Sequence, residues 1–309
     1  MKKVTKKNNH AGMLREWTDL LTETTSVWFT PERVNKVKEH ARNFLSERAK
    51  HYYDIDEFGM DPNLVESIRP LFQFLYHEYW RIETIGINNI PSKGKGLIVA
   101  NHSGAIPFDG IMINMAIFNE HPKSRNVRFL VEDFVYHFPF IGTFISRTGG
   151  VRACRENAQR ILSKGNLVAV FPEGVKGIGK LYKDKYKLQR FGRSGYVKIA
   201  METKSKIIPT AIIGAEETYP VIAKTTALTK PLGIPYFPIS PTFPLLGPLG
   251  LIPLPSKWIM IFGKPIDFSK YKPSDANNNL LVHRLNEQIK DEIKKMIKEG
   301  LSKRDSIWS

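Results

Sequence analysis

From Arg81 onward, short apolar runs recur between helical or polar stretches: RIETIGI, GLIVAN, RFLV, NLVAVF, KIIPTAII and KWIMIFG. Runs of this length, rich in Val and Ile and alternating with helical patterns, read as an α/β core with a mostly parallel sheet flanked by helices. Ligands of such sheets sit beyond the carboxyl ends of the strands, so the segments just after GLIVA and NLVAVF are the expected place for chemistry. Upstream, residues 1–80 read as a helical extension. Thr30 is an N-cap there, Pro31 takes the first helical position, and Val34, Val37, Phe44 and Leu45 share a face. A second stripe joins Leu64, Ile68, Leu71, Phe72, Leu75 and Tyr79, with Pro70 predicted to kink or split it. Leu281, Leu285, Ile289, Ile293 and Ile297 recur every four residues and predict an amphipathic C-terminal helix. The expected division is therefore 1–80, a core over 81–275, and a terminal helix over 276–309.

Residues 231–256, PLGIPYFPISPTFPLLGPLGLIPLPS, carry no charge. Their eight prolines would leave backbone carbonyls unsatisfied in hydrocarbon, which excludes a spanning helix. Two readings stay open: a buried, proline-stiffened loop over the core, or an interfacial segment presenting Phe237, Phe243, Leu245 and Leu246 to lipid.

Composition narrows the class. At 309 residues, 42% hydrophobic and 25% charged, the chain can build one large core and is too polar for a multispan membrane protein. Forty-six Lys and Arg against 30 Asp and Glu give +16, which favours polyanionic partners: nucleic acid, anionic lipid or phosphorylated substrates. The single cysteine, Cys154, excludes an intrachain disulfide framework and a cysteine-rich zinc site. The opening MKKVTKKNNH runs into no apolar stretch, so a signal peptide is not expected and the cytoplasm is. Lys176, Lys180, Lys183, Lys185, Lys187, Arg190 and Arg193 crowd together with Tyr182, Tyr186 and Phe191. Such a stripe suits nucleic acid, an anionic bilayer or the phosphates of coenzyme A, and is also what a solvated face looks like.

Three segments carry candidate chemistry. In Asn101-His102-Ser103-Gly104-Ala105-Ile106-Pro107-Phe108-Asp109, a histidine at a strand end and a carboxylate at a helix start can meet across the loop. That pair suits general base catalysis, with Asp109 fixing the tautomer of His102; the plainer reading is a loop histidine and an N-cap aspartate. Arg147, after GTFIS and before paired glycines, is placed to clamp a phosphate or to be a solvated charge, with Arg152 and Arg155 extending the field. Phe171-Pro172-Glu173-Gly174 ends a strand and leaves Glu173 to accept from a substrate hydroxyl, to pair with Arg147, or to sit in a surface turn. Gly174 to Lys180 satisfies GxxxxGK, but Leu181 stands where a P-loop needs Ser or Thr. Asp54-Ile55-Asp56-Glu57-Phe58-Gly59 lacks the later ligands of a calcium loop and reads as a turn. No HExxH or CxxC pattern suggests a metal.

The ordered set NHSGAIPFD, GTFISR, FPEG and IIPTAIIG resembles the glycerolipid acyltransferases, the lysophosphatidate acyltransferase superfamily, over about residues 80–265. The resemblance implies His102 and Asp109 as the catalytic pair, Gly142 and Arg147 on the acceptor phosphate, Glu173 and Gly174 in acceptor binding, and Pro209 in a later strand. It departs from the family's H-x-x-x-x-D pattern, since six residues separate His102 from Asp109, and Ser146 stands where an acidic residue commonly precedes the arginine. It further implies an acyl-CoA or acyl carrier protein donor, a lysolipid acceptor, an anionic membrane surface, and neither metal nor organic cofactor. The expected activity is fatty acyl transfer to a hydroxyl of a lysophospholipid, most of all lysophosphatidate, by a peripheral protein that does not act on nucleic acid. An acyltransferase for another lipid acceptor and a catalytically idle membrane-binding module remain alternatives. Expected docking elements are the aromatic helix end LFQFLYHEYW, segment 231–256 and the lysine run.

Overall fold

The computed structural model describes residues 31, 32, 35, 38, 39 and 55–308, apart from 104, 105, 107, 139, 193, 227, 228 and 230–232. Positions 31, 32, 35, 38 and 39 are helical and exposed, whereas Thr30, Val34, Val37, Phe44 and Leu45 lie outside the described residues. Helix α1, Pro62–Phe74, starts where the Asp61 side chain accepts from the N–H groups of Asn63 and Leu64, with proline in the first turn. It buries Leu64, Ile68 and Phe72 and runs through Pro70 without splitting. Pro70 removes one helical donor, and the apolar stripe on both sides of it holds the helix together. The irregularity comes afterwards, as a π turn over Leu75–Tyr79. Tyr76, Tyr79 and Trp80 are buried, so the aromatic helix end is core and not a docking element.

Strands β1 (Glu83–Ile85), β2 (Gly96–Ala100), β3 (Val127–Val131), β4 (Gly150–Arg152), β5 (Leu167–Val170), β6 (Lys206–Ile213) and β9 (Ile259–Phe262) form one sheet in the order β1-β9-β6-β2-β5-β3-β4. Only the β6–β9 pairing is antiparallel. A small ribbon, β7 (Ala223–Thr225) with β8 (Phe237–Ile239), stands apart from it. The apolar runs predicted the longer strands; β4, β7 and β8 were not anticipated, being three residues each and carrying charge or proline.

Every residue of β2 and β5 is buried because the sheet is covered on both faces. Along β2, Leu97 and Val99 join the core beneath helices α4 (Arg155–Ser163), α6 (Gly195–Thr203) and α8 (Asn279–Ser302). Ile98 and Ala100 point the other way, into the core shared with α1 and α2 (Asp109–Glu120). Helix α8 is the predicted terminal helix: Leu285, Ile289, Ile293 and Ile297 are buried on one face, with Leu281 packed at its edge. Among the described residues no helix is long and apolar enough to cross a membrane.

Candidate active site

The two central parallel strands β2 and β5 deliver their following loops to one end of the sheet. Beyond β2, the Asn101 amide continues the sheet with side-chain atoms: its Nδ2 donates to Ile212 O at 2.9 Å and its Oδ1 accepts from Ile212 N at 2.7 Å. His102 is thereby fixed at the edge of the core. Helix α2 opens on Asp109, whose buried carboxylate meets the imidazole of His102, Nδ1 to Oδ2 at 2.7 Å. The Ser103 N–H donates to the same oxygen at 3.1 Å and the Gly110 N–H to the other oxygen at 3.1 Å. The longer loop therefore still closes the pair. The ring of His102 stacks on Phe171, centroids 4.5 Å apart, and its side chain keeps 12% of its surface exposed. With Nδ1 committed to Asp109, Nε2 is the nitrogen left for a substrate proton.

Glu173 lies underneath. Its side chain is fully buried, Oε1 accepts from the His102 N–H at 2.9 Å, and Oε2 accepts from the Gln189 N–H at 2.6 Å. Lys180 Nζ stands 3.5 Å from Oε2 and donates to Glu216 Oε1 at 2.7 Å. Glu173 was expected to reach the acceptor; the structure sets its carboxylate inside, on the protein's own donors. Lys180 likewise leaves the predicted basic face, its side chain only 4% exposed, while Lys176, Lys183, Lys187 and Arg190 are exposed and Arg193 lies outside the described residues. Burial pushes the Glu216 carboxyl up to about 6, opposed by Lys180 and reinforced by Glu173. The Tyr186 N–H donates to Glu216 Oε2 at 2.8 Å, and its hydroxyl donates to Glu217. Burial and the Glu217 charge push that phenol well above its usual range.

Gly174, at φ 53° and ψ −145°, turns the chain where a side chain would be strained. Gly177, in the short turn α5 (Val175–Ile178), is required by crowding: a Cβ there would lie 2.7 Å from Glu173 Cβ and 2.8 Å from His102 Cβ. The other predicted site residues go elsewhere. Gly142 lets α3 (Ile141–Arg147) approach Tyr136, whose Cα would be 3.0 Å from an added Cβ. Arg147 ends α3 and precedes β4, its carbonyl accepting from the Asp61 N–H at 3.0 Å. Arg152 closes β4 and so belongs to the same sheet end as His102; it is exposed and paired with Asp133 at 2.6 and 2.9 Å. Pro209 is buried within β6 opposite Val99, inside the sheet and short of its end. Asn101, Gly177 and Glu216 were not singled out from the sequence. The expected calcium-like segment is a turn, with Asp56 Oδ1 accepting from the N–H groups of Phe58 and Met60.

A family model described as Acyltransferase matches residues 81–213, which holds the whole His102–Glu173 arrangement. A protein of Mycobacterium leprae, described as uncharacterized, is 42% identical over 293 residues, covering 93% of this chain and 80% of that one. The chain belongs to the acyltransferase family. A Bos taurus protein named "DGAT1/2-independent enzyme synthesizing storage lipids" is 28% identical to this acyltransferase over 174 residues, 55% of the chain and 50% of that protein. The crystal structure of the 1-acyl-sn-glycerophosphate acyltransferase PlsC from Thermotoga maritima aligns with it at a TM-score of 0.49 and 16% identity, covering 94% of this chain and 90% of that one. This acyltransferase carries His102 just past a strand end and Asp109 at a helix start.

Proposed function

We propose that this acyltransferase moves a fatty acyl group from an acyl thioester, acyl-CoA or acyl carrier protein, to a hydroxyl of a lysophospholipid acceptor, most of all lysophosphatidate. The observation that carries this reading is the 2.7 Å bond from His102 Nδ1 to a buried Asp109. His102 Nε2 takes the proton of the acceptor hydroxyl as the oxygen attacks the thioester carbonyl. The tetrahedral intermediate then breaks its C–S bond, and the departing thiolate takes the proton back from the imidazolium, which Asp109 stabilises meanwhile. Base catalysis of this kind contributes typically ~10²–10⁴-fold. The steps require neither metal nor organic cofactor.

The motif assigns the acceptor phosphate to Gly142 and Arg147, whereas the topology favours Arg152, which closes β4 at the end where His102 lies. A neutral lipid acceptor is the second reading. It is favoured by the name of the bovine relative and by Arg152 being already paired with Asp133. Docking at a membrane surface is supported by two exposed apolar groups: Phe140 and Ile141 at the start of α3, and Leu245, Leu246 and Leu249 in the uncharged loop. The exposed lysines add attraction to anionic lipid, about 1 kcal/mol for each one held near the surface.

The test is thiol release by purified protein against lysophosphatidate, a phosphate-free monoacylglycerol and diacylglycerol, repeated for R147A and R152A. Phosphate recognition predicts a rise in KM for lysophosphatidate alone, in whichever arginine variant makes the contact. Turnover with none of the three acceptors contradicts the reading, and preference for diacylglycerol establishes the second.

A further inference from the structure

Beneath the His102–Asp109 pair, three charged side chains are buried together and take no part in the proton transfers above. Glu173, Lys180 and Glu216 have side-chain exposures of 0%, 4% and 6% and form one chain of contacts, 3.5 Å from Lys180 Nζ to Glu173 and 2.7 Å to Glu216. They come from three places: the loop after β5, the turn after α5, and α7 (Ala215–Thr218), just past β6. Two carboxylates and one ammonium out of water are costly to assemble and contribute little net stability compared with apolar side chains of the same volume, so a role in fixing relative position is the better account of them.

The geometry points to Lys180 and Glu216 as positioning residues that lock the Glu173 carboxylate, which in turn holds the main chain of His102 and keeps its imidazole on Asp109. This rests on reading His102 as the base. Glu173 offers one oxygen to the His102 N–H and the other to the Gln189 N–H, an arrangement only the ionised carboxylate serves well, since a neutral acid or amide would turn a hydrogen toward one of those donors. Lys180 compensates that buried charge and fixes its orientation. Glu216 holds Lys180 in turn, its second oxygen anchored by the Tyr186 N–H at 2.8 Å. Tyr186 is itself tied down: its hydroxyl accepts from the Gly214 N–H at 3.0 Å and from Arg304 at 3.1 Å, and Arg304 also reaches Glu217 at 3.3 Å. Gly177 keeps the gap between His102 and Glu173 narrow enough for the first link. The lysine that completes the GxxxxGK pattern thus acts on a carboxylate of its own chain.

The experiment compares E173Q, K180M and the double variant K180M/E216Q, measuring thermal stability, kcat and both KM values with wild-type substrates. For outer hydrogen-bond partners of a functional histidine, the expected loss in kcat is about 10–100-fold for E173Q and K180M, with both KM values within about twofold. K180M strands two buried carboxylates and is expected to lose stability. The double variant strands one carboxylate instead of two and regains part of the melting temperature, yet its kcat stays low because nothing orients Glu173. Recovery of kcat together with stability would make the cluster merely structural and overturn the proposal. So would a folded E173Q with normal kcat, or one in which only the acceptor KM rises. Proton NMR of the His102 Nδ1–H shared with Asp109 judges the positioning claim without reference to activity: the downfield signal should broaden or shift in K180M/E216Q, and an unchanged signal refutes it. Turnover retained by H102A would instead remove the base reading, leaving that NMR result to stand separately.

Discussion

Two regions of the molecule reverse the usual placement of charge and hydrocarbon. Under His102, Glu173, Lys180 and Glu216 are packed inside. In the loop after β8, Leu245 and Leu249 are 83% and 69% exposed, with Phe140 at 87% on the start of α3. The difference between them is partnership. Each inward charge meets an opposite charge or a backbone N–H within the chain, so desolvation is compensated locally. The outward leucines face solvent, which is the arrangement the proposed lipid contact requires. Hydropathy along the chain reports neither condition, because partners that decide it are far away in sequence.

The most damaging way to probe the inner region is to strike the pair it supports. H102A and D109N are expected to lose about 10²–10⁴ in turnover, measured by steady-state thiol release, with circular dichroism and vesicle binding unchanged. Near-normal release by both variants would remove the pair from the mechanism. A subtler intrusion is G177A, which inserts a methyl between His102 and Glu173. Overpacking of this kind costs about 1–3 kcal/mol, read from the melting temperature, and turnover should fall further than stability alone accounts for.

The outer region is probed by making Leu245 and Leu249 Ser. Binding to anionic vesicles is expected to weaken with salt and leave a salt-resistant remainder, which the double variant loses while turnover of a water-soluble short-chain acceptor is unchanged. The companion substitution of Phe237 and Phe243 separates lipid contact from packing. Those rings are half-buried and lie 5.3 Å apart, so changing them to Ser should lower the melting temperature more than it lowers vesicle binding. Complete release of wild-type protein by high salt would end the insertion reading.

The smallest effect returns to the interior. Glu216 has a folded pKa of about 6 against an ordinary 4.5, so its proton stabilises the fold fully below pH 4.5 and that contribution is lost as pH rises through 6. The amount is at most about 2 kcal/mol, and E216Q should flatten that part of the stability–pH curve. Denaturant titrations at pH 4.5 and 7 compare the two proteins, and an equal slope in both would show that Glu216 does not titrate there.

What could be read beforehand follows the same division between local and distant causes. GLIVA and NLVAV are apolar because both faces of their strands are covered, so they announced themselves. A strand end and a helix start allowed His102 to meet Asp109 but equally allowed a loop histidine and an N-cap, and the resemblance of the ordered motifs singled out the pair. The 2.7 Å bond across the lengthened loop confirms that the pair meets. Arg147 and Arg152 could not be ranked without knowing that the first precedes a strand, β4, and the second closes it. Lys180 looked like its neighbours Lys176 and Lys183, since nothing nearby distinguishes a buried lysine whose partner lies 36 residues on. Tyr76 and Trp80 looked available to lipid only because the sheet that covers them comes later in the chain. Leu245 and Leu246 were singled out correctly as apolar, and their exposure was left open until the loop could be seen.

The Asn101 clasp on Ile212 bears on the order in which the molecule comes together. It spans 111 residues, and the contact between His102 and Glu173 spans 71. Closing such long loops is entropically costly and slow compared with forming helices. During refolding, helical signal should therefore return before the first turnover does, and a chain released at Thr203, before β6 exists, would carry both His102 and Asp109 without the strand that holds them in place.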